Sequence, residues 1–487
     1  MSQLRKNAAD SCLPRPFVGV NFAPKLIIMA GFTLPSDAYL ACSPPNSRSR
    51  FDFPKSYEDV LRSPETRISR GVCWARPFAF RLESTAQMAR PRTGIWLIGA
   101  KGGVATTTII GLIALKKGLS ENVGLVSELP QFAGLDLVRW EDIVIGGHDI
   151  RSTSLVEEAW KLVYESRAID GRIVEKLRDD LAALDANIQD GTLYNVGKTI
   201  VDLSDTKLRT VQETPRTAVD RLKGHIADFA KANDLQRVVV VNVASTEPPV
   251  DEKQFPQTWK ELEPQLNETG CPLPASSLYG IASLELGFPY INFTPSLGTA
   301  IPALDDLAKQ NNTCHMGHDG KTGETLLKST LAPMFAHRNL KVMSWVGHNI
   351  FGNMDAKVLD DPENKKTKAV SKDRLLGKIF GYTPQTLVTI ENIESMGDWK
   401  TAWDHIHFQG FLGTPMVMQF TWQGCDSLLA APLVIDLARF ADLAKQKGET
   451  GLLQQLACFF KSPLGTEEND FAKQFAMLEA WTESLKA

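Results

Sequence analysis

The sequence lacks the patterns that mark several large classes of protein. Its seven cysteines form no CxxC pair, so neither a zinc knuckle nor a disulfide framework is indicated, and reduced thiols in a cytoplasm are the simplest interpretation. The eight histidines show no HExxH or similar metal-ligand spacing. No apolar run approaches the roughly 20 residues that a membrane-spanning helix requires. The net charge of -4 gives no reason to expect nucleic acid or an acidic membrane surface as a partner.

What is present is the composition of an ordinary globular protein, with 487 residues, 43% of them apolar and 23% charged. Such a length can bury large cores and predicts two or three domains. Residues 1–92 differ from the rest because they hold 10 of the 27 prolines and show no sustained periodicity. We interpret them as a disordered or spuriously included extension, with Met88 close to the original start. A basic, flexible regulatory or targeting arm is the alternative.

A strand, a glycine-rich turn and a helix follow one another near residue 94. Gly94–Gly99 reads as a buried strand, Thr106–Lys117 has a helical apolar pattern, and Val123–Val126 suggests the next strand. This order is that of the first unit of a dinucleotide-binding fold. Glycines in the turn let a pyrophosphate approach the helix N-terminus. The predicted cofactor contacts in this turn are Gly99, Lys101, Gly102, Gly103 and Val104.

The same turn has a competing interpretation as the deviant P-loop of partition ATPases. That loop needs a lysine before its Ser/Thr to reach the phosphates. Here Thr106 stands at that position and Ala105 replaces the preceding glycine. The dinucleotide interpretation is therefore favoured over the ATPase.

Two later segments combine glycine, acid, amide and lysine at high density. They are Gly317–Ser329 and Gly347–Asp355. Glycine lets backbone N–H groups approach a ligand closely, and lysine supplies compact cationic donors for phosphate and proton transfer. The natural ligand is an anionic, hydroxyl-rich small molecule, and a sugar phosphate fits that description.

Together with Asn292–Ser296, these segments occur in the order that is found in inositol-phosphate synthases, and the chain resembles that family from about Thr93 to Pro463. The likeness is closer to the compact prokaryotic and archaeal form. It implies an α/β fold, with an NAD-binding, Rossmann-like doubly wound domain and an inserted α+β catalytic and tetramerisation domain. It implies a cytoplasmic homotetramer that converts glucose 6-phosphate into 1D-myo-inositol 3-phosphate with NAD, the first step of inositol and inositol-phospholipid biosynthesis. An NAD-dependent dehydrogenase of another phosphosugar and a non-catalytic NAD-binding protein are the alternatives.

The resemblance also implies cofactor contacts beyond the first turn. Gly146–Ile150 matches the family's glycine-glycine-aromatic-aspartate-isoleucine turn, with His148 in place of the usual tryptophan. It contributes Asp149 and Ile150, although Asp149 reads equally well as a helix N-cap. The buried strand that begins at Arg237 ends in a polar loop, where ligands of parallel sheets gather. The contacts predicted in this loop are Asn242, Ser245, Thr246 and Glu247, and the match of Gly424–Ser427 to a family motif implies a further contact at Asp426.

The family's essential lysines are matched by motif, and the resemblance implies the role of each. Lys372 and Lys461 are the candidates for proton transfer at the C5 oxygen and for enolate stabilisation. Lys400 would hold the aldehyde oxygen, and Lys368 would bind substrate oxygens or phosphate. Asp319 and Asp355 would orient these lysines. The predicted substrate-binding residues are Ser296, Lys321, Gly323, Thr325, Lys328, Asn349 and Asn353.

The family pattern is not complete, because Leu326 stands where many members have a further lysine. A need for a divalent cation is left open. We expect residues 93–290 to form the NAD-binding domain and residues 291–424 the catalytic and oligomerisation domain. Residues 425–487 should return to the NAD-binding domain, so that Asp426 and Lys461 reach the cofactor.

Overall fold

A parallel sheet of seven strands forms the larger layer of the protein. The structure is a computed structural model that describes residues 90–268, 270–359 and 375–486. The expectations for the N-terminal extension, Lys368 and Lys372 lie outside these residues. The strands are β1 (Thr93–Ile98), β2 (Ile143–Asp149), β3 (Ile188–Asp190), β4 (Arg237–Asn242), β5 (Tyr290–Asn292), β6 (Cys314–Gly317) and β11 (Gly451–Leu452). Their order in the sheet is β11-β6-β5-β4-β1-β2-β3, and all pairs are parallel.

Helices cover both faces of this sheet. The helices are α1 (Gly103–Lys116), α2 (Leu155–Tyr164), α3 (Gly171–Lys176), α4 (Arg178–Leu184), α5 (Lys198–Leu203), α6 (Thr206–Arg209), α7 (Pro215–Ala232), α8 (Trp259–Leu262), α9 (Ala275–Glu285), α10 (Pro302–Gln310), α11 (Gly323–His337), α12 (Met354–Leu359), α13 (375–380), α14 (Asp426–Gln446) and α15 (Phe471–Ser484). Strand β1 shows why two layers are needed, since its side chains alternate between two cores. Ile95 and Leu97 pack in the core that contains α1 and α14. Trp96 and Ile98 pack in the core that contains α7 and α9. The sheet is therefore doubly wound.

A second, mixed sheet of four strands carries its own small core. Its strands are β7 (Lys341–Phe351), β8 (Gln385–Asn392), β9 (Trp399–Gln409) and β10 (Pro415–Cys425). The order is β10-β9-β7-β8, with only the β7–β8 pair parallel. One face packs on α11, where Phe335, Trp345 and Ile406 are fully buried. Together the two sheets confirm the predicted α/β fold with a Rossmann-like layer and an additional sheet.

The strand expected at Val123–Val126 is wrong. A short 3-10 helix begins at Val126, and the next strand is β2, which contains the residues expected as a glycine-glycine turn. A Cβ on Gly146 would lie 2.7 Å from the Trp96 ring, and one on Gly147 would lie 2.3 Å from the carbonyl oxygen of Leu97. These glycines therefore lie within a strand and not in a turn, and their lack of side chains allows close packing beside β1.

The boundary expected between residues 290 and 291 falls inside β5. Both β5 and β6 belong to the seven-stranded sheet, so this layer continues to Gly317. Strands of three and four residues give too little periodicity to be recognised from sequence. After the second sheet, α14 packs against α1 and β4, and β11 joins the edge of the larger sheet.

Candidate functional site

A cavity of about 620 Å³ opens where the carboxyl ends of β1, β2, β4 and β5 face the second sheet. Polar groups from both sheets border it. The predicted residues on its wall are Gly99, Gly102, Gly103, Val104, Asp149, Ile150, Asn242, Ser245, Thr246, Asp319, Asn353, Asp426 and Lys461. Ligands of open α/β sheets bind at this edge. The fold thus brings together predicted residues from three distant parts of the chain.

The glycine turn between β1 and α1 has the shape of an anion cradle. Gly99 has φ +78°, and a Cβ there would lie 2.8 Å from the Cα of Ala244. Gly102 is the N-cap of α1, with no side chain to satisfy the first N–H groups of that helix. A Cβ on Gly103 would lie 2.7 Å from the Ser427 hydroxyl. A 14-residue helix with an open N-terminus on a cavity wall fits the pyrophosphate of a dinucleotide.

Asp149 holds this turn in place from the end of β2. Its Oδ2 accepts a hydrogen bond of 2.7 Å from the backbone N–H of Lys101. Its Oδ1 accepts bonds from the N–H groups of Ile150 and Arg151, at 2.8 and 2.9 Å. Asp149 is therefore not a helix N-cap, because none of these donors lies in a helix. The Lys101 side chain does not border the cavity, and its Nζ lies 3.9 Å from Asp185.

The ends of β4 and β5 are joined by a buried amide network. Asn242 donates from Nδ2 to Asn292 Oδ1 at 3.1 Å, and its own Oδ1 accepts from the N–H of Ala244. Glu247 borders the cavity and accepts a 2.8 Å bond from the N–H of Ser276, at the start of α9. Burial raises the pKa of Glu247 to about 7, although its hydrogen bonds to serines oppose this.

Lys461 and Asp319 form an ion pair on the cavity wall. Their Nζ and Oδ1 atoms are 2.7 Å apart, and the two side chains are 12% and 6% exposed. The backbone N–H of Lys461 also donates to the carbonyl oxygen of Asp319. The residues are 142 positions apart in sequence, so the pair exists only because the loops after β6 and before α15 meet. It presents an ammonium group to whatever occupies the cavity.

Asp398 is a site residue that the sequence analysis missed. Its carboxylate accepts bonds from Ser427 N–H and Oγ at 2.8 and 2.9 Å, from Asn353 Nδ2 at 2.9 Å and from Cys425 Sγ at 2.9 Å. Burial raises its pKa. It lies on the cavity wall and joins the end of β7 to the start of α14. The signal was present, since an acid follows Gly397 two residues before Lys400, but nothing local indicated that it would be buried.

Lys321 is placed differently from the substrate-site prediction. Its Nζ contacts Gln474 Oε1 on α15 and lies 5.8 Å from the centre of the Phe471 ring, away from the cavity wall. Burial lowers the pKa of Lys321 to about 8, with weaker opposing effects of Cys458 and Asp470. Its backbone N–H donates to the carbonyl oxygen of Phe459 at 2.8 Å.

Lys328 is also turned away from the cavity. It forms a fully buried ion pair with Glu324, with Nζ and Oε1 2.6 Å apart, and Asn349 donates to the other carboxylate oxygen. This cluster lies between α11 and the second sheet. Ser296 bonds to the N–H of Glu247 behind the wall. Gly323 and Thr325 begin α11 just after Thr322, which does border the cavity.

Two predicted catalytic residues of the second sheet region remain to be placed. Lys400 lies on β9, with its Nζ 4.7 Å from the centre of the Phe351 ring. It is not among the residues that line the cavity. Asp355 lies in α12, between Asn353 and Lys357 in the sequence. Their predicted roles stay predictions.

The glycine cradle lies where the strand order of the doubly wound sheet reverses, and an ammonium–carboxylate pair lies across the cavity from it. This arrangement defines a dinucleotide-binding α/β protein. Within that class, an NAD-binding family model described as myo-inositol-1-phosphate synthase matches residues 93–483, and the chain belongs to this family.

Individual relatives agree with this assignment. The chain is 32% identical to inositol-3-phosphate synthase 1 of Bacteroides thetaiotaomicron over 417 residues, which is 80% of this chain and 95% of that protein. It is 26% identical to inositol-3-phosphate synthase of Dictyostelium discoideum, over 73% and 75% of the two chains.

Solved structures show the same architecture. The fold is similar to the crystal structure of inositol-3-phosphate synthase from Caenorhabditis elegans, with a TM-score of 0.73, 23% identity and coverage of 81% and 86%. It is also similar to a myo-inositol-1-phosphate synthase-related protein from Thermotoga maritima, with a TM-score of 0.66, 25% identity and coverage of 80% and 98%.

Proposed function

We propose that the protein converts D-glucose 6-phosphate into 1D-myo-inositol 3-phosphate with NAD. The observation that carries this proposal, beside membership of the family, is that Lys461 and Asp319 border the same cavity as the glycine cradle. A sugar in this cavity would lie between a hydride acceptor and an ammonium group. Both are needed if one site is to oxidise, cyclise and reduce the same substrate.

The cradle residues Gly99, Gly102 and Gly103 would hold the pyrophosphate of NAD, which when bound would supply reversible hydride transfer. Oxidation of the C5 hydroxyl gives a ketone and acidifies the C6 protons. Loss of one C6 proton leaves an enolate, which attacks the C1 aldehyde and closes the ring. The net reaction is redox neutral.

The chain's own residues act on the charge that these steps place on oxygen. Lys461 donates to the C5 oxygen when it becomes an oxyanion, and Asp319 fixes the ammonium group in position. The N-terminus of α11 after Thr322 has no side-chain cap, and its free N–H groups at Gly323 and Thr325 suit the substrate phosphate. Ser296, Lys321, Lys328 and Asn349 would then support this site from behind its wall.

The remaining family residues complete the proposal. Lys400 would hold the aldehyde oxygen, Asn353 would contact the substrate, and Asp355 would orient lysines beside it. Lys368 and Lys372 keep the roles that the resemblance implies. In this assignment Lys372 and Lys461 share proton transfer and enolate stabilisation, and the substrate phosphate itself can act as the base at C6.

The test is to incubate purified protein with glucose 6-phosphate and catalytic NAD, and to assay phosphate released from the product by periodate. The synthase forms many equivalents of inositol phosphate per NAD and accumulates no NADH. Stoichiometric NADH without inositol phosphate would instead identify a dehydrogenase of a phosphosugar. Failure of both assays, with NAD still bound, would favour the non-catalytic alternative.

We propose a homotetramer that assembles through the outer face of the second sheet. Large apolar side chains are exposed on this face, with Trp403 45%, Val417 51% and Leu387 52% accessible. Exposed apolar patches of this kind commonly mark protein interfaces. Sedimentation at micromolar concentration tests the assembly.

We also propose a cytoplasmic location, which is supported by the buried free thiols that the described residues contain, those of Cys271, Cys314, Cys425 and Cys458. No helix in the described ranges is long and apolar enough to cross a membrane. No group of three His, Cys, Asp or Glu side chains converges as a metal site in the same ranges. A divalent cation is therefore tested directly, by measuring turnover after chelation and after addition of Mg²⁺.

A further inference from the structure

His148 is buried beneath the glycine cradle and takes part in a chain of hydrogen bonds between rings. Trp96 Nε1–H donates to His148 Nδ1 at 2.9 Å, and His148 Nε2 lies 3.1 Å from His225 Nδ1. An indole nitrogen can only donate, so His148 Nδ1 must be unprotonated and Nε2 must carry the hydrogen. His225 Nδ1 is then the acceptor. The geometry thus fixes both rings as neutral, each in one tautomer.

The backbone of His148 holds the start of the cradle. Its carbonyl oxygen accepts hydrogen bonds from the N–H groups of Gly99 and Ala100, at 2.9 and 3.0 Å. The next residue, Asp149, accepts the bond from Lys101. Three successive N–H groups of the cradle therefore depend on the position of the last two residues of β2. The His148 ring, packed 4.8 Å from Trp96, sets that position.

One added proton cannot be accommodated in this chain. If His225 is protonated, its Nδ1–H faces the Nε2–H of His148. If His148 changes tautomer to avoid this, its Nδ1–H faces the indole N–H of Trp96. Either way two donors oppose each other in a buried place, which costs the desolvation free energy of an unsatisfied group.

The charged surroundings agree with neutral rings. Burial, then His225 and Arg221, lower the pKa of His148 well below its usual value. Burial and Arg221 also lower the pKa of His225, while Asp190 and Asp228 oppose this more weakly. The Tyr279 ring centre lies 5.4 Å from that of His148, and Tyr279 is uncharged near neutral pH because burial raises its pKa. The folded pKa values are depressed, so the neutral rings favour the native arrangement above the unfolded pKa, and this stabilisation is lost as the pH falls.

We propose that His148 and His225 are a positioning pair that holds the glycine cradle in its cofactor-binding arrangement only while both rings are neutral. The inference rests on the proposed binding of NAD at this cradle. It predicts that acid weakens NAD binding through a proton taken up at His225, far from the reacting atoms.

The experiment measures the Kd of NAD by isothermal titration at pH 7.5, 6.5 and 5.5, for the full chain and two variants. His225→Asn keeps an oxygen acceptor near the place of Nδ1 but cannot be protonated. His337→Asn, at the exposed end of α11, is the matched control. The wild type and the control should bind NAD about two- to fivefold more weakly at pH 5.5 than at pH 7.5, because the lowered pKa of His225 leaves only part of the protein protonated at pH 5.5. His225→Asn should bind like the wild type at pH 7.5 and lose this pH dependence.

A rise in Kd in His225→Asn equal to that of the wild type would overturn the inference, and so would a Kd of the wild type that does not change with pH. Circular dichroism at each pH confirms that the variants are folded. If His225→Asn is not folded, His225→Gln replaces it in the same comparison. Absence of NAD binding at every pH would overturn this inference and the proposed function together, whereas pH-independent binding overturns the inference alone.

Discussion

Replacing Lys461 by alanine tests the central feature of the proposed site. The change removes an ammonium group that lies 2.7 Å from Asp319 Oδ1 on the wall of the cavity. Because the charge on the C5 oxygen develops during the reaction, loss of a preorganised donor should lower kcat by about 100- to 1000-fold, or about 3–4 kcal/mol. Binding of NAD should be unchanged, since the cradle makes no contact that depends on this ammonium.

The cost in stability should be much smaller than the cost in activity. Removing one partner of a fully buried ion pair costs about 3–5 kcal/mol. Here both side chains border a cavity, so water can reach Asp319 after the change. We therefore expect a loss of about 1–3 kcal/mol in the free energy of unfolding. The variant should remain folded at 25 °C, and its inactivity cannot then be attributed to unfolding.

The assay is periodate-released phosphate under saturating substrate, with NAD affinity and urea unfolding measured on the same preparations. Lys473→Ala is the control, because Lys473 is 61% exposed on α15 and makes only a 3.5 Å ion pair with Glu468. It should retain full activity. If Lys461→Ala kept more than roughly a tenth of wild-type turnover, Lys461 would not be the oxyanion donor that we assign.

Three further changes probe other parts of the structure. Gly103→Ala places a Cβ 2.7 Å from Ser427 Oγ and should weaken NAD binding about fivefold or more. Gly111→Ala is the control in the same helix, because its Cβ meets nothing closer than 3.9 Å and NAD binding should not change. Equal NAD affinities of the two variants would contradict the proposed binding of NAD at the glycine cradle. Glu247→Gln should raise the free energy of unfolding by about 2–3 kcal/mol at pH 8.5 and lose this advantage by pH 5. Burial raises the pKa of Glu247 in the folded protein from 4.5 to about 7. The contribution of Glu247 to the free energy of unfolding is therefore favourable at low pH and is lost as the pH rises through 7. Parallel urea titrations of the two proteins that show no effect of pH on their difference in stability would refute this prediction. Trp403→Glu should dissociate the proposed tetramer in sedimentation while leaving the unfolding of each subunit within about 0.5 kcal/mol, and an unchanged assembly would exclude this face.

Several parts of the protein were determined by local sequence. Strands β1 and β4 were predicted because continuous apolar runs are buried on both sides of a parallel sheet. The glycine turn after β1 was predicted because a backbone that approaches a phosphate needs residues without side chains. The family was recognised because several motifs occur in one order along the chain, and the family comparison confirms it. Each of these signals is contained in a short stretch or in the order of such stretches.

Other features were decided only by tertiary packing. The sequence placed Lys321 and Lys461 in the same site, yet the fold turns Lys321 to Gln474 and Lys461 to Asp319. Nothing local indicated that Asp398 would be buried or that His148 would pair with His225. Burial, ion pairing and tautomer depend on atoms brought together from positions tens to hundreds of residues apart. Motifs therefore named the residue types of the site, whereas the packing of two sheets decided which side chains share one cavity.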